Sequence, residues 1–253
     1  MITLSICASK SGSFPIDRRA EVDVITTKLP VRLQCIADEI SPCQRLIDVG
    51  SDHGFLSSYV LERRLSQMVI ATDIHRAPAQ RTREYLDMKG FAGKSEVYCR
   101  DGLSGIVLSG EDVVVIAGLG GLEMVQILTR ALAEQGGVIP KGTVFLLQPQ
   151  RSEEELRAFL SENLFDIESE RICFDRGRTY VIIRCRFIGE PRPLSPEQRI
   201  LGPFIIKDRP EGTDQYLEGK IRSLEKQRLG RPELLTVIRF TKDLLSEERK
   251  TDR

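Results

Sequence analysis

Between residues 45 and 148, short apolar runs alternate with longer helical stretches, and this alternation constrains the chain more than any other feature. The runs are Arg45–Gly50, Gln67–Ile74, Ser95–Cys99, Asp112–Gly118 and Thr143–Gln148, several of them bounded by Gly, Asp or Pro. Each reads as a short strand buried on both faces. Leu56–Arg64, Ala77–Lys89, Leu122–Glu134 and Glu153–Asn163 read as helices. Strand alternating with helix predicts an α/β, Rossmann-like fold with a parallel sheet and right-handed crossovers. Ile167–Asp175 and Thr179–Phe187, around Arg176-Gly177-Arg178, predict a hairpin that closes the sheet with an antiparallel edge.

Upstream of the first strand, Leu33, Ile36, Ala37 and Ile40 fall at helical spacing, and Pro42 stops that leading helix. Residues 1–25 show no sustained periodicity and read as an N-terminal extension. The α/β domain is expected over residues 26–188. The run Gly189-Glu190-Pro191-Arg192-Pro193, with Pro196, marks a boundary, and residues 189–253 read as a helical C-terminal domain. Tyr216, Leu217, Ile221 and Leu224 form one helix face and Leu234, Leu235, Ile238 and Leu245 another, with Gly230-Arg231-Pro232 between them, the pattern of an αα-hairpin. Its first helix carries Lys220, Arg222, Lys226 and Arg228, followed by Arg231, which predicts one basic surface.

Composition excludes several classes. Lys and Arg together number 37, as do Asp and Glu, so any nucleic-acid binding must use a local patch rather than a global field. The six cysteines lack CxxC spacing, which argues against structural zinc and predicts buried free thiols in a reducing compartment. His53 and His75 are the only histidines and no motif joins them to a carboxylate cluster, so no metal is expected. No apolar run approaches the ~18 residues of a membrane span. A cytoplasmic protein without a membrane partner is expected, and a monomer, since no self-complementary stripe stands outside the hairpin.

In an open parallel sheet, ligands sit beyond the carboxyl ends of the strands. After the first run comes Asp48-Val49-Gly50-Ser51-Asp52-His53-Gly54, in which Gly50 and Gly54 would let backbone approach a ligand closely. A dinucleotide site calls for G-x-G-x-x-G and a phosphate at the helix N-terminus. Here Asp52 stands in the turn, where a carboxylate repels pyrophosphate and competes for the same N–H groups. The loop suits a ligand bearing positive charge, and S-adenosylmethionine (SAM) carries a sulfonium and an ammonium. Asp73, ending the second run, can accept hydrogen bonds from ribose hydroxyls. Asp101-Gly102, after the third, can receive an adenine amino group, and Ala117-Gly118-Leu119-Gly120-Gly121, after the fourth, would face the transferred methyl. Singly, each has an ordinary structural use, since Asp48 can cap a turn and Asp73 a helix. Their succession on consecutive strand ends points to a class I methyltransferase.

These motifs resemble the bacterial tRNA (adenine-N1)-methyltransferases that modify adenine 22. The resemblance rests on Arg32-Leu33 with Ile36-Ala37, Asp48-Val49-Gly50-Ser51-Asp52-His53, Asp101-Gly102-Leu103, Ile116-Ala117-Gly118-Leu119-Gly120-Gly121, Leu147-Gln148-Pro149 and Leu201-Gly202-Pro203-Phe204, and covers about residues 28–245. Leu119 stands where the family commonly has Met, and Asp73 where it often has Glu. The resemblance implies a Rossmann-like SAM domain followed by a helical, coiled-coil-like domain, with Arg32 among the cofactor-binding residues.

Adenine N1 already has a lone pair, so positioning should dominate the rate. The Gly118–Gly121 turn and Gln148-Pro149-Gln150 are expected to form the wall that faces the base, with Gly120, Gly121, Gln148 and Pro149 as contacts. N1 lies on the Watson–Crick edge, so the base must be unpaired before attack. An RNA clamp is therefore expected, with Lys226 and Arg228 on the hairpin and the Arg32 helix as candidates. Asp52 and His53 are the candidate catalytic pair, with His53 expected to orient the loop or the target strand more than to act as general base. Competing readings are a methyltransferase of another RNA or of a small molecule, and a non-catalytic module that binds SAM and RNA.

Overall fold

The computed structural model describes residues 27–251, so the extension expected over residues 1–25, with Cys7, lies outside the described residues. The chain opens with α1 (Val31–Asp38) and then alternates: β1 (Cys43–Val49), α2 (Phe55–Glu62), β2 (Ser66–Asp73), α3 (Arg76–Met88), β3 (Ser95–Cys99), β4 (Val113–Ala117), α4 (Gly121–Glu134), β5 (Val144–Gln148) and α5 (Glu153–Glu162). The hairpin β6 (Phe165–Asp175) and β7 (Arg178–Phe187) follows, and then α6 (Pro196–Leu201), α7 (Pro203–Asp208), α8 (Thr213–Gln227) and α9 (Leu234–Thr251).

The seven strands form one sheet in the order β3-β2-β1-β4-β5-β7-β6. β1 to β5 pair in parallel, as the β–α alternation requires. The hairpin closes the sheet with an antiparallel edge, as the sequence predicts, and the structure adds the order of its two strands. β7 runs antiparallel beside β5, inside the sheet, while the edge strand β6 is antiparallel to β7 and so parallel to the rest. Inserting β7 there pairs both sides of an apolar strand, Val181, Ile182, Ile183 and Cys185, which an edge position would leave half unpaired.

Alternation along the central strands divides the core between two faces. Ile47, Val114, Ile116, Phe145 and Leu147 point to the side covered by α4, α5 and the C-terminal helices. Leu46, Val69, Val113, Val115 and Leu146 point to the side of α1, α2 and α3. Residues of α6 to α9, including Ile200, Leu201, Ile205, Leu217, Leu224, Leu234 and Ile238, belong to the same apolar cluster as the first face. The helices after the proline-rich boundary therefore rest on the sheet's own core.

A buried ion pair pins them. Arg157 Nε on α5 donates to Glu170 Oε1 on β6 at 2.7 Å, with both side chains fully covered, and Arg157 Nη1 donates to the carbonyls of Arg199 and Ile200. Glu170 Oε2 accepts from the backbone N–H of Phe204 and of Ile205 in the first turn of α7. Burial alone would lower the pKa of Arg157, but Glu170 and Tyr216 beside it outweigh that and raise it. Gly202, between α6 and α7, has φ +105°, and a Cβ there would lie 2.5 Å from Glu170 Oε2. Only glycine lets the chain turn this close to the pair.

Among the described residues the thiols are free, but not all are buried. Cys173 and Cys185 are, Cys35 and Cys43 are half-buried, and Cys99 is exposed at the end of β3. Among the described residues, no helix is long and apolar enough to cross a membrane and no group of three His, Cys, Asp or Glu could hold a metal ion.

Candidate active site

The carboxyl ends of β1 and β4, with the start of α1, enclose a cavity of about 220 Å³ lined by Arg32, Asp48, Gly50, Asp52, His53 and Ala117, together with Pro30, Leu33, Ser51 and Phe55. The sheet order changes direction here, because β1 has β2 on one side and β4 on the other. That is where neighbouring strand-to-helix turns diverge and leave a crevice.

Asp48 forms the floor. It is 5% exposed, and its Oδ2 accepts from Ser57 Oγ at 2.6 Å. Burial pushes this carboxyl up from its ordinary 3.8 to about 6, against the hydrogen bonds from Ser57 that lower it. A buried acid so placed favours a cationic partner. Gly50 turns at φ +74°, and a Cβ built on it would meet nothing within 4 Å. That turn presents bare backbone to open space.

Arg32 enters from α1 and lines the cavity, so its role as an outward RNA clamp is not what its position suggests. Its Nη1 donates to Gln148 Oε1 at 2.7 Å, and its guanidinium lies against Gly118. Gln148, expected on the wall that faces the base, is instead 0% exposed. Its Nε2 donates to the Pro149 carbonyl, and its own carbonyl accepts from Gly118 N–H. With both ends of its amide engaged, Gln148 acts behind the site: it holds Arg32 and the β4 turn in register. The turn residues Gly118, Gly120 and Gly121 lie between Arg32 and Arg151, and Gly121 N–H bonds the Arg151 carbonyl.

Asp52 and His53 sit on the rim. Asp52 adopts φ +50°, and its exposed carboxylate pairs with Arg81 at 3.1 Å and lies 3.5 Å from His53 Nε2. Its carbonyl accepts from Thr82 Oγ1, and Ser51 Oγ lies 3.1 Å from the same hydroxyl, so α3 anchors the loop. The two remaining strand-end acids stand further along the sheet. Asp73 is nearly covered and accepts from His75 N–H through Oδ1, while Asp101, half exposed, is bound by Arg130 at 2.8 Å. The carbonyl of Gly102 accepts from Thr72 Oγ1, tying the β3 end to β2.

The basic face expected on the hairpin is smaller than the sequence suggests. Lys220 reaches Glu153 at 3.2 Å, and Arg231 grips Glu154 with two bonds of 2.8 and 3.1 Å and also contacts Glu233. Both cations fasten the hairpin to α5, which leaves Arg222, Lys226 and Arg228 exposed, the last two at the far end of α8. A wider depression, about 620 Å³, lies at the amino ends of the strands, but its Arg184 and Arg186 are tied to Glu168. It sits at the opposite end of the sheet from the strand-end acids.

Sequence reasoning missed Ser57, whose hydroxyl tunes Asp48, and Phe55, whose ring lies beside His53. The only local signal was their place in the first turn of the helix that follows the Asp48 loop.

The methyltransferase-domain family matches residues 29–183, the whole span from the leading helix into β7. A Mycoplasma pneumoniae protein provisionally named a tRNA methyltransferase is 31% identical over 170 residues, covering 63% of this chain and 71% of that one. The chain belongs to this tRNA methyltransferase family. Another relative, the tRNA (adenine(22)-N(1))-methyltransferase of Bacillus subtilis, is 27% identical over 186 residues, covering 72% of this chain and 76% of that one. Among solved structures, Streptococcus pneumoniae Sp1610 in complex with S-adenosyl-L-methionine superposes with a TM-score of 0.75 at 27% identity. It covers 86% of this tRNA methyltransferase homologue and 100% of its own chain, so the similarity extends through the C-terminal helices.

Proposed function

We propose that this chain transfers the methyl group of S-adenosyl-L-methionine to N1 of an adenine in tRNA, the adenine at position 22 beside the D-loop. The observation that carries the reading is the pairing of a buried acid, Asp48, with a cation, Arg32, across one cavity at the switch point of the sheet. An amino-acid group carries an ammonium and a carboxylate, and this donor set matches both. The open space at Gly50 admits the ligand's main chain without a clash. When bound, the cofactor supplies a methyl group on a positively charged sulfur.

The protein's own contribution is positional. Asp48 receives the ammonium and Arg32, held by Gln148, the carboxylate, which fixes one end of the cofactor. Asp73 takes the ribose hydroxyls, and the Asp101-Gly102 turn takes the adenine end. Ala117 and Gly118 then border the space through which the incoming base approaches. Adenine N1 attacks through its own lone pair, so no group needs to remove a proton beforehand, and the exposed Asp52–His53 pair orients the rim. An extruded base is required because N1 is paired in a duplex. The protein acts as a monomer in the cytoplasm, with Lys226 and Arg228 touching RNA phosphates away from the cavity.

The direct test is incubation of the purified protein with tritiated SAM and unmodified bacterial tRNA, followed by nucleoside analysis. Labelled N1-methyladenosine that disappears when adenine 22 is replaced is the expected result. SAM binding with no labelled RNA would overturn the substrate assignment.

A further inference from the structure

The rim of the cavity carries a cluster of aromatic rings. The imidazole of His53 stacks on the ring of Phe55, with centroids 5.5 Å apart and planes inclined by 19°. Phe55 is in turn fixed edge-on by Tyr85 of α3, at 5.3 Å and 90°. His53 and Phe55 both line the cavity, yet the His53 side chain is 49% exposed and Phe55 is among the exposed large apolar residues. Three rings thus form a short column that begins in the packed α2–α3 layer and ends at the mouth of the site. An aromatic ring left partly open at the mouth of a site offers a face on which a planar ligand can stack.

The outermost ring has a neighbour on each of two sides. Phe55 covers one face of the imidazole, and Asp52 Oδ2 stands 3.5 Å from Nε2 at its edge. Asp52 itself is held by Arg81. The His53 side chain is half exposed beyond these contacts, which leaves ring surface on which a planar base can stack. Stacking on such a face tolerates any base and gains from a positively charged or polarised ring.

We propose that His53, backed by Phe55 and Tyr85, is a nucleobase-stacking subsite that holds the extruded target base flat at the mouth of the cofactor cavity. The inference rests on the tRNA methyltransferase reading and deepens it by naming the surface that receives the base. Base-edge recognition and proton transfer play no part in it: the ring's face is used, and its nitrogens only set the ring's angle. His53 is therefore a substrate-positioning residue.

The test compares wild type, His53→Ala and His53→Phe in steady-state methylation of unmodified tRNA, with SAM affinity measured separately by calorimetry. Base stacking on an aromatic ring corresponds to roughly a five- to 150-fold effect. The expected result is a KM for tRNA raised at least about fivefold in His53→Ala, recovered for the most part in His53→Phe, with the dissociation constant for SAM within about twofold of wild type in both. An unchanged KM in His53→Ala would overturn the proposal. So would an equal loss of SAM affinity, which would make the ring part of the cofactor site, or a His53→Phe variant as impaired as His53→Ala, which would assign the effect to the imidazole nitrogens. A wild-type protein that binds SAM but methylates no tRNA would overturn the underlying reading and the subsite with it.

Discussion

If Asp48 receives the ammonium as proposed, its raised pKa makes the affinity for SAM depend on pH in a way that can be worked out beforehand. The free protein holds this carboxyl at about 6 because burial penalises the charged form. Only the ionised form attracts the ligand's ammonium, so the apparent dissociation constant scales as one plus ten raised to the pKa minus the pH. At pH 7 the correction is about a tenth, while at pH 5 binding is weaker by about tenfold, and each further unit of acid costs about another decade. A free α-amino group titrates near 8, so the ligand's ammonium stays charged from pH 5 to pH 7, and Asp48→Asn identifies the part of the break that belongs to Asp48. The same shift fixes the stability of the free protein. Because the folded value lies above the ordinary 3.8, the folded state binds more protons than the unfolded one between the two values. Stability is greatest below about pH 4 on account of this group and falls as pH rises through about 6, by on the order of 3 kcal/mol. Bound SAM, by pairing the charge, reverses that loss. Calorimetric titration with SAM from pH 5 to pH 7 reads the break directly, and Ser57→Ala, which removes a bond favouring the carboxylate, moves it to higher pH. A flat affinity across that window, or the same break in Asp48→Asn, would refute the reasoning.

Replacing Arg32 by Ala removes a charge-assisted contact worth about 1.5–3 kcal/mol, so calorimetry should show SAM bound roughly 10- to 150-fold more weakly; Arg32→Lys recovers little, since a point charge cannot serve Gln148 and a carboxylate together. Glu170→Ala leaves the Arg157 guanidinium buried without its counter-charge and should cost about 3–5 kcal/mol, read as a drop in Tm on the order of 10 °C by differential scanning calorimetry. Lys226→Ala with Arg228→Ala should weaken tRNA binding and lower its dependence on salt by about one to two ions, while SAM affinity stays at the wild-type value. An unchanged salt slope in a filter-binding assay would put the RNA contacts elsewhere.

The strands were legible because both-face burial writes itself into the chain as a run of apolar residues, as at Val113–Ala117 and Val144–Gln148. The strand-end acids were legible because the turn after each run is fixed by the run itself. Partnership between distant elements was not. Lys220 and Arg231 look like a solvent-facing basic stripe until Glu153 and Glu154, some 70 positions earlier on α5, are brought against them. Gln148 looks like a wall residue until the fold covers it with α1. The short helix α6 left a local trace, because Ser195-Pro196-Glu197-Gln198 forms a capping box with Pro at the first helical position, and it went unread beneath the proline-rich run before it.

The manner in which α6 to α9 are attached decides how the competing functional readings can be separated. If the C-terminal helices were an independent module, deleting residues 189–253 would leave a folded catalytic core, and loss of RNA methylation would then identify the module as the clamp. The contacts rule this comparison out. Ile200, Leu201, Ile205, Leu217 and Leu224 share one apolar cluster with the sheet strands, so the deletion uncovers the sheet face beneath them. It also strips Arg157 of the carbonyls of Arg199 and Ile200, and Glu170 of the N–H groups of Phe204 and Ile205, at the centre of the molecule. A truncated protein that fails would fail for want of a core, whichever substrate it served. The substitutions that discriminate are those at exposed positions that hold nothing together. Lys226 and Arg228 meet that requirement, whereas Lys220 and Arg231 do not, because each anchors the hairpin to α5.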